Sequence, residues 1–190
     1  MGLKLTTGDL TIHRIIEQET TFLPALEMLP GLTPELLAEN RPWMREAFAR
    51  SEFDFWTEQH AKTPVPHFND SVLPVVEARR ADIVRDDYEI GDHARILPTP
   101  GHTPGHVAFA FGRGSDDAVV SGDLMHSPLQ ARYPELSVKF DVDHAQAART
   151  RRDFLERYCD TDTLCCTAHF PSPSAGKIRR WRNGFSCVGV

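Results

Sequence analysis

Cysteine, positive charge and long apolar runs are all scarce in this sequence. Its 190 residues include four cysteines, two of them adjacent at 165 and 166, which neither build a disulfide framework nor form a CxxC metal clamp. The 21 basic residues are outnumbered by 27 acidic ones, and the net charge of −6 argues against binding to a nucleic-acid backbone. No apolar run approaches the roughly 20 residues that cross a bilayer. Nucleic-acid and membrane partners are therefore not expected.

Two local stretches support the same exclusions. The first ten residues contain Thr, Gly and Asp where a secretory signal peptide needs an apolar stretch, so we expect a cytoplasmic location. The basic run 179–182 stands in an acidic chain, where such a run more often forms a solvated surface strand than a nucleic-acid contact.

Short apolar runs separated by Asp, Gly and Pro predict several strands. An early strand or hairpin is expected over residues 3–16. The other strand-type runs follow one another through the second half of the chain, at 83–84, 94–97, 107–111, 118–120 and 163–167.

Capping residues predict helices between these strands. Thr33 and Ser51 are expected N-caps, a third helix is expected over 71–80, and Asp141 or Asp143 caps a fourth. The solvated face of this fourth helix is expected to carry its arginines, at positions 149, 151, 152 and 157. Helices interleaved with short strands predict an α/β layered domain.

Three strand ends carry residues that can bind a metal. Two glycines and two prolines surround His102 and His106 after the run 94–97, which predicts a rigid loop able to hold ligands before an ion arrives. Asp123 follows the run 118–120. Burying a carboxylate at the end of such a strand costs free energy unless the group is paired, binds a metal or caps a helix. His169 follows the last run. Enzymes of the α/β class commonly assemble a site from such strand ends.

These pieces resemble the motifs of the metallo-β-lactamase-fold hydrolases. PTPGHTPGH over 98–106 is similar to a metal-binding motif of that family, SGD over 121–123 to its bridging aspartate, and TAHFP over 167–171 to its last histidine strand. The wording GDLMH over 122–126 is similar to the branch of N-acyl-homoserine lactonases and methyl-parathion-hydrolase-like enzymes. The resemblance implies an αββα sandwich and a metal-dependent hydrolase acting on a small lactone, ester or phosphotriester.

The resemblance also implies a role for each residue of the site. His102 would bind one metal ion, His169 the other, and Asp123 would lie between them as a ligand and catalytic residue. His106 would support the ligands from behind, and His126 would line the pocket wall. The metal would be zinc, with iron, manganese or cobalt as alternatives, and it would activate a water molecule as hydroxide.

The family's HxHxDH motif, which supplies four further ligands, is absent from the sequence. Residues 41–48 run directly into 49–56, two stretches that flank the first half of the sandwich in the family. We therefore expect one internally truncated domain over 1–190, with a lead-in at 1–48 and the remaining ligands in 49–190. The expected fold is an incomplete αββα sandwich that lacks most of its first half.

This loss has consequences for activity and for association. Two ligands remain for each of two ions, whereas a catalytic zinc usually keeps three protein ligands, so at most one partial site is expected. The alternative to a hydrolase is a catalytically inactive, truncated derivative that self-associates or binds a partner. Self-association would use the bared sheet face, which carries Val107, Phe109 and Phe111 or the alternate positions.

Overall fold

The computed structural model describes residues 4–7, 10–13, 35, 46–113 and 115–189. The strands are β1 Lys4–Thr7, β2 Leu10–His13, β3 Glu46–Ala49, β4 Ala81–Val84, β5 Glu89–Ile90, β6 Ala94–Pro98, β7 Val107–Phe111, β8 Ala118–Val120, β9 Leu164–Cys166, β10 Ala175–Trp181 and β11 Gly184–Gly189. The α-helices are α1 Arg50–Lys62, α2 Leu73–Glu77, α3 Pro128–Arg132 and α4 His144–Tyr158. A π-helical turn, Phe68–Val72, precedes α2, and a 3₁₀ turn, Gly122–Leu124, follows β8.

A seven-stranded sheet in the order β11-β10-β9-β8-β7-β6-β5 dominates the fold. Strand β7 pairs antiparallel with both β6 and β8, and β8 pairs parallel with β9. The carboxyl ends of β6, β8 and β9 therefore lie at the same edge of the sheet. This topology places the three predicted metal-binding segments side by side, because each of them directly follows one of these strands.

One face of the sheet packs against α4. The parallel pair β8–β9 needs a crossover, which α3 and α4 provide. Phe154, Leu155 and Tyr158 of α4 bury their side chains with Val119 of β8 and Ile178 of β10. This cluster fixes the second half of α4 against the sheet.

The opposite face of the sheet lies against α1 and the two-stranded parallel sheet β3–β4. An apolar cavity of about 310 Å³ separates them, lined by side chains that include Phe48, Phe53, Phe68, Val107 and Phe109. Phe68 is buried, whereas Val107 and Phe109 are half-buried. Among the described residues, the face that carries Val107 and Phe109 is incompletely covered, and α1 shields part of it.

Most predicted elements are confirmed. Strands β7 and β8 have the predicted bounds, the hairpin β1–β2 lies within 3–16, and Asp143, not Asp141, caps α4 through a bond from the Gln146 N–H. The helix predicted after Thr33 lies outside the described residues except for Glu35, which is helical. Most of the basic run 179–182 lies in β10, the strand that pairs with β11.

Two helix predictions were wrong in detail. Helix α1 begins at Arg50, and Ser51 is not its cap; instead the backbone N–H of Ser51 donates to the Asp86 carboxylate at 3.1 Å. Arg151 does not lie on the solvated face of α4, because its side chain is only 1% exposed. A buried guanidinium needs partners, and those partners belong to the site described below.

The described residues contain no helix that is both long and apolar enough to cross a membrane. The four cysteines form no disulfide bond; Cys165 is buried and the others are half-buried.

Candidate metal centre

The loop between β6 and β7 is held rigidly from both sides. Its backbone pairs with the start of α4, where the N–H groups of Val142 and Asp143 donate to the carbonyls of His102 and Gly101 at 2.9 and 3.0 Å. On the other side, a Cβ at Gly105 would lie 2.0 Å from the Glu52 backbone nitrogen, so only glycine allows α1 to approach this closely. The loop is therefore clamped between α4 and α1.

His102 is oriented by a buried carboxylate. Its Nδ1 lies 3.0 Å from Oδ1 of Asp141, whose side chain has no solvent exposure. The other oxygen of Asp141 accepts from the Val138 N–H at 3.2 Å and pairs with the Arg151 guanidinium at 3.4 Å. Arg151 also donates to the carbonyls of Leu124, Pro134 and Leu136. This arrangement leaves Nε2 of His102 directed at the site, as in the carboxylate–histidine pairs that support metal ligands.

His106 is fully engaged in supporting the aspartate loop. Its Nε2 accepts a hydrogen bond from the Asp123 N–H at 3.0 Å, and its Nδ1 lies 3.1 Å from the Thr99 carbonyl, to which it donates. Burial lowers the pKa of His106, which favours the neutral ring that these two bonds require. Both ring nitrogens are therefore occupied, and His106 holds Asp123 in place without facing an ion.

Asp123 lies between two imidazoles. Its Oδ1 is 2.7 Å from Nε2 of His169, and its Oδ2 is 3.6 Å from Nε2 of His102. Burial by itself would raise the pKa of Asp123, but the hydrogen bond with His169 and the nearby imidazoles outweigh it and lower that pKa. The carboxylate is thus ionised near neutral pH, which is the form that binds a cation.

His126 is the third imidazole at this carboxylate. Its ring lies 5.0 Å from that of His102 and stacks on His169, with centroids 4.5 Å apart and the planes within 8°. Gln130, itself buried, accepts the backbone N–H of His126 at 2.7 Å. One ligand atom each from His102, Asp123 and His126 lie within 4.8 Å of one another, the only such group of three among the described residues.

The structure brings together all five residues that the sequence predicted for the site. His102, Asp123 and His169 are the predicted ligands, and their placement at one sheet edge agrees with that prediction without testing their roles. Sequence reasoning placed His126 only in the pocket wall, and it missed Asp141 and Arg151 as supports of His102. Asp141 was recognised solely as a possible helix cap, because nothing in its local sequence links it to a loop 39 residues earlier.

Comparison with known proteins identifies the family. A sequence model of the metallo-beta-lactamase superfamily matches residues 30–169, well over half of the chain. The chain belongs to the metallo-beta-lactamase superfamily. Among solved structures, it resembles the hydrolase AbOPH with a TM-score of 0.66 and AidC, a dizinc quorum-quenching lactonase in complex with a product, with a TM-score of 0.63. Both are 21% identical to this chain, a level at which the likeness shows the fold.

The curated relatives of this superfamily member match part of their length. The hydroxyacylglutathione hydrolase of Rhodopseudomonas palustris strain BisB18 is 28% identical over 113 residues, and that of strain BisA53 is 32% identical over 107 residues. These matches cover 58% and 55% of this chain, but only 42% and 40% of the relatives. The structural matches cover 76% of this chain and 54% of AidC, and 77% of this chain and 55% of AbOPH. The predicted metallo-β-lactamase-type fold is confirmed, with partial coverage of its relatives.

Proposed function

We propose that this protein is a metal-dependent hydrolase, with a divalent ion held by His102, Asp123 and His169. The observation that carries the proposal is the convergence of three imidazoles on the single ionised carboxylate of Asp123. Carboxylate oxygen and imidazole nitrogen together suit zinc, iron, manganese and cobalt.

A polar atom without a partner supports the fit of a metal to this cluster. Within the described residues, Nδ1 of His126 is buried and makes no hydrogen bond. Buried polar groups in native proteins nearly always have partners, so an unsatisfied imidazole nitrogen beside an ionised carboxylate favours a cation at this place. Protein groups already bond to Nδ1 of His102 and to both ring nitrogens of His106. The space beside the carboxylate of Asp123 therefore remains for the ion.

Each residue of the site has a defined role in the proposed hydrolase. Asp141 fixes the ring of His102 so that Nε2 faces the site. His106 anchors the backbone of Asp123, and His169 holds one of its two oxygens. A divalent ion at this place would lower the pKa of a water molecule and polarise the oxygen of a carbonyl or phosphoryl substrate. The partly exposed side chains of Asp123 and His169 leave that position open to solvent and to a small molecule.

The proposed substrates are small lactones, esters or phosphotriesters. The family resemblance in GDLMH and the fold of AidC support a lactone, and the names of the curated relatives add hydroxyacylglutathione to the compounds worth testing. A location in the cytoplasm remains part of the proposal.

Activity after metal loading tests the proposal. Purified protein would be stripped with a chelator, reloaded separately with zinc, iron, manganese or cobalt, and assayed on an N-acyl-homoserine lactone, a phosphotriester and a hydroxyacylglutathione. We expect hydrolysis above the rate of free metal in buffer, and its loss in His169→Ala. His93→Ala is the control, since His93 contacts Arg113 and precedes β6, at the opposite end of that strand from the loop that carries His102. Rates equal to buffer with every metal would contradict the proposal.

The second candidate function is a catalytically inactive derivative that self-associates or binds a partner. The observation in its favour is the absence of HxHxDH from the sequence, together with the half-buried Val107 and Phe109 on the incompletely covered sheet face. It predicts loaded protein without hydrolysis and a concentration-dependent dimer in sedimentation analysis. An active monomer would rule it out.

A further inference from the structure

We propose that His126 is itself a metal ligand in this chain and, with His102 and Asp123, supplies three protein donors to a single ion. The inference rests on the proposed function and changes its ligand set: His126 takes the place of His169 at the ion, although the family resemblance assigns His126 only to the wall of the pocket. His126, three positions after Asp123 in the chain, would replace one of the donors that the missing motif would have provided.

The spacing of the three donors fits one ion. Ligand atoms about 2.0–2.1 Å from a tetrahedral zinc lie roughly 3.3 Å from one another. His102 Nε2 and Asp123 Oδ2 are 3.6 Å apart, close to this value and too far apart for a hydrogen bond. A ring nitrogen of His126 lies within 4.8 Å of one ligand atom of His102 and of one carboxylate oxygen of Asp123. The separations from His126 would have to close by at most about 1.5 Å to bring all three atoms to the spacing of zinc ligands.

The contacts of His126 hold its ring at the site and leave one ring nitrogen without a hydrogen bond among the described residues. Ser127 caps α3 by accepting from the Leu129 N–H, and Gln130 of α3 accepts from the His126 N–H, so the backbone on both sides of the ring is fixed. Gln130 is anchored in turn to the Leu136 carbonyl at 2.9 Å. The ring itself has a buried Nδ1 without a hydrogen bond among the described residues.

His169 occupies a different place at the carboxylate. Its Nε2 is 2.7 Å from Oδ1, a hydrogen-bond distance, whereas His102 faces Oδ2 across a wider gap. His102 and Asp123 therefore supply two donors across the wider gap, His126 supplies the third, and His169 keeps Oδ1 oriented. Three protein ligands and one open position is the composition that catalytic zinc sites usually have.

Metal binding, measured without any substrate, tests this inference. Stripped wild type, His126→Ala, His126→Phe, His169→Ala and the control His93→Ala would be titrated with Zn²⁺ against a chromophoric chelator and with Co²⁺ followed by visible absorption. His126→Phe keeps a ring to stack on His169 but has no donor nitrogen. We expect both His126 variants to bind Zn²⁺ at least tenfold more weakly and to give an altered Co²⁺ spectrum, and His93→Ala to match wild type.

The outcomes separate this inference from the proposed function. If both His126 variants bind as wild type does while His169→Ala loses the metal, His126 is not a ligand and the proposed function stands. Wild type that binds no metal overturns both. The proton NMR spectrum of Co²⁺-loaded wild type provides a readout that does not depend on how a variant folds. Each imidazole bound to Co²⁺ contributes a shifted, solvent-exchangeable ring N–H signal. A signal assigned to His126 supports the inference, and its absence contradicts it.

Discussion

The carboxylate of Asp141 lies 3.0 Å from Nδ1 of His102, and the two residues are 39 positions apart in the chain. Asp141 has no solvent exposure and shares its second oxygen with Arg151. The ring that faces the site is therefore positioned by a buried ion pair in the crossover between β8 and β9.

Replacing Asp141 with Asn should weaken metal binding. The amide keeps the size of the side chain but loses the charge that orients His102 Nδ1, and such outer partners of metal-bound histidines are typically worth about 10–100-fold in affinity. Chelator competition with Zn²⁺ measures the change. Asp143→Asn is the control, because Asn is as good a helix cap as Asp and position 143 lies outside the ion pair. Equal loss in the two variants would show a general effect on α4 and contradict this role of Asp141.

Replacing Arg151 with Met should destabilise the fold itself. The variant leaves the Asp141 carboxylate buried without its cation, and breaking a buried ion pair from one side typically costs about 3–5 kcal/mol in the free energy of unfolding. Urea denaturation with the midpoint and slope compared to wild type measures this cost.

The control for that experiment is Arg149→Met on the same helix. Arg149 is exposed and its hydrogen bond goes to Gln146, so its loss should change the unfolding free energy by less than about 0.5 kcal/mol. The double variant Asp141→Asn with Arg151→Met should recover part of the stability lost in Arg151→Met alone. A double variant as unstable as the sum of both singles would argue against the pair.

Replacing Gly105 with Ala should separate α1 from the loop between β6 and β7. The added methyl group would lie 2.0 Å from the backbone nitrogen of Glu52, and a backbone atom cannot give way as a flexible side chain can. We expect a clear fall in melting temperature and loss of the contact between Thr103 and Glu52. Gly189→Ala is the matched control, since its nearest atoms are 3.8 Å away. A Gly105→Ala variant as stable as this control would contradict the close packing.

Cys165 should be the least reactive of the cysteines in the folded protein. Burial raises the pKa of its thiol, and because the thiolate is the reactive form, less of it exists at any given pH than for an ordinary cysteine. Raising the pH to about 8.5 should therefore increase alkylation of the half-buried Cys159 before that of Cys165, which should react only after unfolding. Peptide mass spectrometry after timed iodoacetamide labelling measures the order, and labelling of native Cys165 at the rate of Cys159 would contradict it.

Local sequence was sufficient for the strands that carry the site. The bounds of β7 and β8 follow from apolar runs limited by Gly, Asp and Ser, and the ligand-type residues follow directly after such runs. The start of α1 could not be predicted in the same way, since the Asp86 carboxylate that accepts its Ser51 N–H comes from a loop 35 residues later. The solvent exposure of Arg151 was wrongly predicted for the same reason. An arginine on a helix is usually solvated, and only the fold surrounds this one with carbonyls and Asp141.

By itself the sequence determined three properties: the membership in the superfamily, the strand ends that carry His102, Asp123 and His169, and the absence of the HxHxDH motif. Each of these properties depends on residues that are neighbours along the chain. Only the tertiary structure decided that β6, β8 and β9 end at one edge and that Asp141 and Arg151 support His102. It also decided that His126 lies beside His102, with a buried nitrogen that makes no hydrogen bond among the described residues. These relationships depend on distances between segments that are far apart in sequence, and the burial that makes an unpaired nitrogen or charge costly exists only once the chain is folded.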